Sequence, residues 1–489
     1  MLSILNPRDN GLHCRFMKKY DVIVIGSGGG AKITSPAARL GLKVACIEKD
    51  AFGGTCLNRG CIPSKMLIHP ADVAMEIKGA KKFSINNNPL FHVDFENLIT
   101  RISNTVDQDS ASIVEGYRRN PNIDLYPAEA KFISNKVIRV AEQEITADKI
   151  FITIGARPYI LPTPGLAATP FMTSAEALRN KTLPKKMIII GGGYIAVELG
   201  HAYGALGTQV HFLVRTQFLR HEDSQVAKEF TRIFSKNHTV HFGALPTRVD
   251  YQDGSFTVSY KNLIDAPSQV TADALLIAAG VVPNTDTLDL GNTDIAVDEK
   301  GFVKVNDQLQ TSVDGIYAFG DCIGRYCYRH TANFEGEYLF QTVFGDHAKK
   351  PIRYPPVPHA VFTHPQVDGV GKTEDQLKNE KVDYVVGLNP YQSSAMGMAL
   401  LSDGGFVKIL LDRHSRKILG AHIVGDEASN MIHLLIAFMN KDGTLDDLLN
   451  MIYIHPALPE IVRNAARKAA TELKEQGHKS PSHTSQVKA

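Results

Sequence analysis

A strand–glycine–helix pattern occurs twice in this chain, and no other feature limits its folds so tightly. Residues 20–31, YDVIVIGSGGGA, form a β-branched apolar run closed by glycines. Such a run suits a parallel strand buried on both faces. The glycines let the chain turn sharply and bring its backbone close to a pyrophosphate at the next helix N-terminus. Gly26, Gly28 and Ala31 hold the turn positions. A second strand, KVACIE, ends at Glu48, 22 residues after Gly26, where a carboxylate would accept hydrogen bonds from a ribose. Residues 185–200, KKMIIIGGGYIAVELG, repeat the layout, with Gly191, Gly193 and Ala196 at matching spacing and TQVHFLV (208–214) as the next strand. Either unit alone could be an ordinary strand–turn–helix crossover. Two in one chain imply two dinucleotides, a flavin and a nicotinamide.

Other segments share this grammar. KIFITIGARP (149–158) and ALLIAAGVVPN (274–284) are apolar strands ending in Gly155 and Gly280, each followed by a proline-containing turn. They read as exits from one nucleotide domain to the next. GIYAFGDCIG (315–324) is a further buried strand that ends in Gly320–Asp321. Open parallel sheets bind ligands at that end, so Asp321 is well placed to meet one. One residue conflicts with the pattern. Pro36 falls inside the first crossover helix, where an interior proline costs about 3 kcal/mol, so a kink or a late helix start is expected.

A length of 489 residues suits about three domains. A net charge of +2 gives no support for nucleic-acid binding, and no stretch approaches the roughly 20 apolar residues that cross a bilayer. The apolar patch at the start is broken by Asn6, Pro7 and Arg8 and makes a poor secretory signal. Met17 opens MKKYDVIVIG and resembles a more natural start. The expected location is the cytoplasm.

Six cysteines are too few for a disulfide framework. Yet GGTCLNRGCIPSKM (53–66) places Cys56 and Cys61 with four residues between them behind a glycine pair, as coincidence, metal clip or redox centre. In a regular helix, Cα atoms five positions apart are separated by roughly 8 Å, and a disulfide spans at most about 7 Å. A bridge here needs an irregular turn, which Gly60 and Asn58 could supply. Pro63 suits an early helical position, and Cys61 near a helix N-terminus would have a stabilised thiolate. Cys322 and Cys327 share the spacing and are expected to be free thiols. No metal site is expected.

GGTCLNRGCIPSKM, the two glycine units, AAGVVPN, AFGD and HPALPE (455–460) stand in the order found in the flavin-dependent pyridine nucleotide–disulfide oxidoreductases. The chain resembles that family over about residues 19–470. The resemblance implies an α/β fold with two Rossmann-like dinucleotide-binding domains and a C-terminal α+β dimerisation domain. Its boundaries would be an extension at 1–18, FAD-binding parts at 19–160 and 283–355, an NAD(P)-binding domain at 161–282, an interface domain at 356–475 and a disordered tail at 476–489. It implies FAD and NAD(P)H as cofactors and a homodimer with shared active sites. It makes Cys61 the charge-transfer thiolate facing the flavin and Cys56 the interchange thiol. Lys65 and Glu198 match an ion pair beside the flavin. Gly54, Thr55 and Asp321 join the FAD site, with Asp321 on the ribitol. His455 becomes the acid–base residue supplied by the partner subunit, oriented by Glu460. The family often has Thr where this chain has Ala457.

The second unit has Val214, followed by Arg215 and Arg220, where NAD-selective enzymes tend to keep an acid. Arginine suits a 2′-phosphate, which favours NADPH. Tyr194, directly after the glycines, resembles the gate over the nicotinamide site in glutathione reductase. Val281 replaces the arginine usual after the second exit glycine. GCIPSKM is closest to dihydrolipoamide dehydrogenase, whereas FLRHED (218–223), RHTANFEG (329–336) and HPALPE resemble mycothione reductase. The expected substrate is a small-molecule or lipoyl disulfide or dithiol, with a dihydrolipoamide dehydrogenase-like activity first and an NADPH-dependent disulfide reductase second. An electron carrier or redox sensor without disulfide turnover is the remaining alternative.

Overall fold

The computed structural model describes residues 17–86, 91–345 and 350–477. The extension at 1–16 and the tail at 478–489 lie outside the described residues. The first strand starts at Lys18 and the last helix runs to Gly477, so residues 18, 476 and 477 belong to regular elements rather than to the flanking segments. The described chain divides into two compact units.

The first unit comprises the residues up to Asn58, Asp107–Arg157 and Val282–Ile352. The strand Lys18–Ile25 lies parallel between Val44–Ile47 and Gln143–Ile152, and Ile123–Tyr126 and Ile316–Ala318 extend the parallel set. Val137–Val140 and Ala130–Ser134 add an antiparallel hairpin. Val22, Ile23 and Val24 are wholly buried, each stabilising the fold by about 1.5–3 kcal/mol relative to exposure. Ile25 is in register with both Ile47 and Ile152, and Ile152 with Ala318. The strands therefore end together, which gathers Gly26, Glu48, Thr153 and Phe319 along one edge.

The helix Ala31–Arg39 neither starts late nor stops at Pro36, which is its sixth residue. Only three residues follow it, so the missing N–H removes one rung close to the helix end. The Leu40 N–H still reaches the carbonyls of Pro36 and Ala37.

The second unit comprises Arg59–Val106, Pro158–Val281 and the residues from Arg353 onward. Its parallel sheet has the order Thr239–Phe242, Gln209–Val214, Lys186–Ile190, Ala274–Ile277. A three-stranded antiparallel sheet (Leu245–Gln252, Ser255–Lys261, Pro267–Ala272) follows in the chain. The C-terminal part is an antiparallel sheet in the order Pro358–Val361, Gln366–Gly371, Ile418–Gly425, Phe406–Asp412, Tyr384–Pro390. The helix Glu460–Gly477 packs so closely on it that a Cβ at Gly387 would lie 2.2 Å from the Ala465 carbonyl oxygen. The two nucleotide folds and the α+β C-terminal part match the expected fold class. Among the described residues, no helix is long and apolar enough to cross a membrane.

Candidate active site

The first glycine turn is a cradle that side chains would fill. Gly26 has φ +102°, and a Cβ there would lie 2.4 Å from the Thr153 carbonyl oxygen. Gly28 and Gly54 approach so closely that a Cβ on Gly54 would lie 2.6 Å from the Gly28 Cα. Ala31 is the first residue of the helix behind this turn, and Thr55 follows Gly54 in the helix Gly54–Arg59. The Ser27 N–H and hydroxyl donate to Glu48 Oε2 at 2.9 and 2.7 Å, and the Asp50 N–H donates to Oε1 at 3.1 Å. Glu48 is thereby fixed at the end of the second strand. Gly155, with φ +66°, turns the chain out of the sheet. These residues, bare backbone on one side and a fixed carboxylate on the other, fit the diphosphate and ribose of FAD.

Asp321 stands at the same edge, just past Ile316–Ala318. Burial pushes its carboxyl up to about 6, with Arg329 pulling it back. A group kept here against its own desolvation is expected to serve a ligand. The folded chain holds this proton to a higher pH than an unfolded chain, whose ordinary value is 3.8. Stability therefore falls as pH rises from about 4 to 6 and then levels off. Asp321→Asn should make the flavin-free protein more stable than wild type above pH 6, with the difference gone near pH 4, while weakening FAD retention. Urea unfolding across this pH range checks it; equal stabilities at pH 7 would refute it.

The second turn has the same construction. Gly191 has φ +142°, and a Cβ there would lie 2.1 Å from the Ala278 carbonyl oxygen, whereas Gly193 faces open space. Tyr194 opens the helix Tyr194–Leu206 and is exposed; Ala196 is buried two residues on. Gly280, with φ +131°, turns the chain after the strand Ala274–Ile277. Val214 ends its strand, Arg215 and Arg220 are exposed, and Arg220 Nε donates to His221 Nε2 at 3.1 Å. The open Gly193 and the exposed arginines fit a nicotinamide dinucleotide.

Lys65 and Glu198 come together. Each is the fifth residue of its helix, in the second turn. Lys65 Nζ donates to Glu198 Oε2 at 2.7 Å and lies 4.2 Å from the centre of the Phe362 ring, and the Phe362 N–H donates to Glu198 Oε1 at 3.0 Å. Burial pushes the Glu198 carboxyl up, with Lys65 opposing.

His455 Nδ1 is 2.9 Å from Glu460 Oε2 and 3.1 Å from Oε1. Glu460 also accepts from the Ala457 N–H at 3.2 Å and from Arg463 Nη2 at 2.6 Å. Burial opposes the Glu460 charge, but these donors together hold its carboxyl below the usual range. The imidazole is 70% exposed, so a histidine with one nitrogen held by a carboxylate presents its other nitrogen outward.

The sequence of a known family carries the same parts. The family model described as pyridine nucleotide-disulphide oxidoreductase matches residues 20–336, and the dimerisation domain of that family matches 357–466. The chain belongs to this family. It is 36% identical over 466 residues to a mycothione reductase of Mycobacterium tuberculosis, covering 92% of this chain and 99% of the relative. It is 33% identical over 462 residues to a dihydrolipoyl dehydrogenase of Bacillus subtilis, covering 93% and 97%. Among solved structures it is similar to the HOCl-induced flavoprotein disulfide reductase RclA of Escherichia coli, with a TM-score of 0.81 and 28% identity over 92% of this chain and 99% of that one. As a pyridine nucleotide–disulfide oxidoreductase it uses FAD and NAD(P)H. When bound, the flavin would supply two-electron transfer between the nicotinamide and a sulfur–sulfur bond.

The cysteines of this oxidoreductase differ in setting. Cys56 lies in the helix Gly54–Arg59, and Cys61 opens the next helix, Cys61–Gly79. Gly60 separates them with φ −142° and ψ −118°, far from helical values. Asn58 Nδ2 pins the first helix by donating to the carbonyls of Ala51, Phe52 and Gly54 at 3.0, 3.0 and 3.1 Å. Pro63 is the third residue of the second helix, where an N–H would have no intrahelical acceptor. Cys61 thus meets the positive end of a long helix. Burial pushes the Cys322 and Cys327 thiols up to about 12 and about 11. Neither ionises readily near neutrality.

Three contributors were not read from the sequence. Arg463 braces Glu460 from one helical turn on, a spacing of three that could have been noticed. Phe362 holds Glu198 from just past the distant strand Pro358–Val361, for which the sequence offers no signal. His201, buried one turn after Glu198, pairs its Nε2 with Asp72 Oδ1 at 2.7 Å; neither residue belongs to a motif.

Proposed function

We propose that this oxidoreductase is an NADPH-dependent reductase of a low-molecular-weight disulfide. The observation that carries this reading is the end of the strand Gln209–Val214, where exposed Arg215 and Arg220 follow an apolar residue and no acid is present to meet a ribose 2′-hydroxyl. The similarity to mycothione reductase and to the flavoprotein disulfide reductase supports it. The other reading, oxidation of a dihydrolipoyl group, is favoured by GCIPSKM and by the dihydrolipoyl dehydrogenase relatives.

In both readings Cys56 exchanges with substrate sulfur, Cys61 holds the thiolate on the flavin side, and Lys65 with Glu198 lines that side. His455 moves the proton, with Glu460 and Arg463 fixing its ring. The chain works as a homodimer in which each His455 serves the partner's thiols. Ile452 and Ile454, 99% and 81% exposed beside His455, support an apolar face that a second copy covers. The domains are those read from the sequence, with the first beginning at Lys18 and the last helix running to Gly477, and the enzyme works in the cytoplasm.

The test is steady-state turnover of the purified yellow protein with NADPH and NADH against lipoamide, glutathione disulfide and cystine-type compounds. The expected result is a KM for NADPH about ten-fold or more below that for NADH, with turnover of a small disulfide. A preference for NADH with lipoamide as the only substrate would replace this reading by the dihydrolipoyl one.

A further inference from the structure

The loop 215–223 carries the two arginines and ends in Glu222 and Asp223, acids that the nucleotide chemistry does not use. At its near end the loop is tied to the glycine turn. The Leu219 N–H donates to the Gly192 carbonyl at 2.8 Å, and a Cβ at Gly192 would lie 2.8 Å from Val214 Cγ1 and 3.0 Å from the Gln217 carbonyl oxygen. Phe218 is wholly buried and packs edge-on against Phe212, Phe230 and Phe234.

At its far end the loop is tied to the C-terminal sheet. Glu222 Oε2 lies 2.6 Å from His359 Nε2. Asp223 takes both oxygens to Lys408 Nζ at 2.8 and 2.9 Å, and both side chains are wholly buried. Lys408 also donates to Glu374 at 2.6 Å. The capping is reciprocal: Asp223 accepts from the Gln225 and Glu374 N–H groups, and Asp375 accepts from the Ser224 N–H. His359, Gly369, His422 and Lys408 form one row of register partners across four strands. A Cβ at Gly369 would lie 2.6 Å from His359 and 2.9 Å from His422, so the glycine makes room for the imidazoles.

We infer that Glu222 and His359 are positioning residues for nicotinamide-nucleotide selection: their pair anchors the loop that aims Arg215 and Arg220 at the 2′-phosphate. This rests on the proposed NADPH reading. A loop fixed at both ends presents its cations without a large ordering cost when nucleotide binds, whereas one loosened at Glu222 pays part of that cost on binding. Asp223 and Lys408 share the anchoring, but a buried pair broken on one side risks the fold, so the test uses the less buried pair.

Glu222→Gln, His359→Asn and the double variant are assayed with NADPH and NADH alongside Arg215→Ala and Arg220→Ala, with flavin content confirming folding. Each single anchor variant should raise the KM for NADPH about three- to ten-fold, leaving kcat and the KM for NADH within about two-fold. The double variant should be no worse than either single one, because one interaction is lost once. An unchanged KM for NADPH in both anchor variants, with a raised KM in the arginine variants, overturns the anchor and leaves the NADPH reading intact. An equal rise for both nucleotides marks general loosening and also overturns it. Arginine variants with an unchanged preference defeat the NADPH reading and the anchor together.

Discussion

Cys56→Ser should retain bound flavin and its reduction by nicotinamide, yet lose disulfide turnover by three orders of magnitude or more, on the order of what removal of a covalent nucleophile costs. A serine hydroxyl is nearly isosteric with the thiol, so the helix Gly54–Arg59 and its Asn58 hydrogen bonds should persist. What disappears is the sulfur–sulfur bond, which oxygen cannot form. Anaerobic titration with reduced nicotinamide, followed by a disulfide assay of the same preparation, separates the two steps. Cys61→Ser should also abolish turnover and should in addition lose any long-wavelength absorption of the reduced enzyme, because the thiolate at the helix N-terminus is gone. Turnover at wild-type rates in either variant would remove the thiol pair from the mechanism, and an electron carrier would become the better description.

His455→Ala should slow thiol exchange by about 10²- to 10⁴-fold, the usual contribution of a general acid–base group, while flavin reduction by nicotinamide proceeds normally. Glu460→Gln should cost less, about 10- to 100-fold, because it loosens the imidazole without deleting it. Glu460 also links this step to pH. Its carboxyl is held below the ordinary range in the fold, so its stabilising effect is complete above the unfolded value and is lost as pH falls through the folded one. The acid side of the stability profile should therefore be shallower in Glu460→Gln than in wild type. Stopped-flow measurement of flavin reduction and reoxidation, paired with unfolding at several pH values, checks both. Full exchange rates in His455→Ala would break the assignment.

Much of the nucleotide framework was legible because its chemistry is local. A buried parallel strand needs a continuous apolar run, a turn against a pyrophosphate needs glycine, and a ribose needs an acid one strand later; each rule operates within about 25 residues. Pro36 shows the limit even there, since a single lost N–H near a helix end was too small an effect to decide where that helix begins or stops. His455 and Glu460, five residues apart, were also readable as a pair.

The chain's order of residues thus determined where the nucleotide turns, the thiol pair and the histidine–glutamate pair would lie. Tertiary structure alone decided which side chains support them. Lys408 meets Asp223 across 185 positions, and His201 meets Asp72 across 129. His359 acts from the strand Pro358–Val361 and Phe362 from just past it, in a segment whose sequence announces only a sheet. The physical reason is that desolvation and ion pairing depend on which surfaces close over a charge. That closure arises when separate helices and sheets pack, and leaves no periodicity in any one segment.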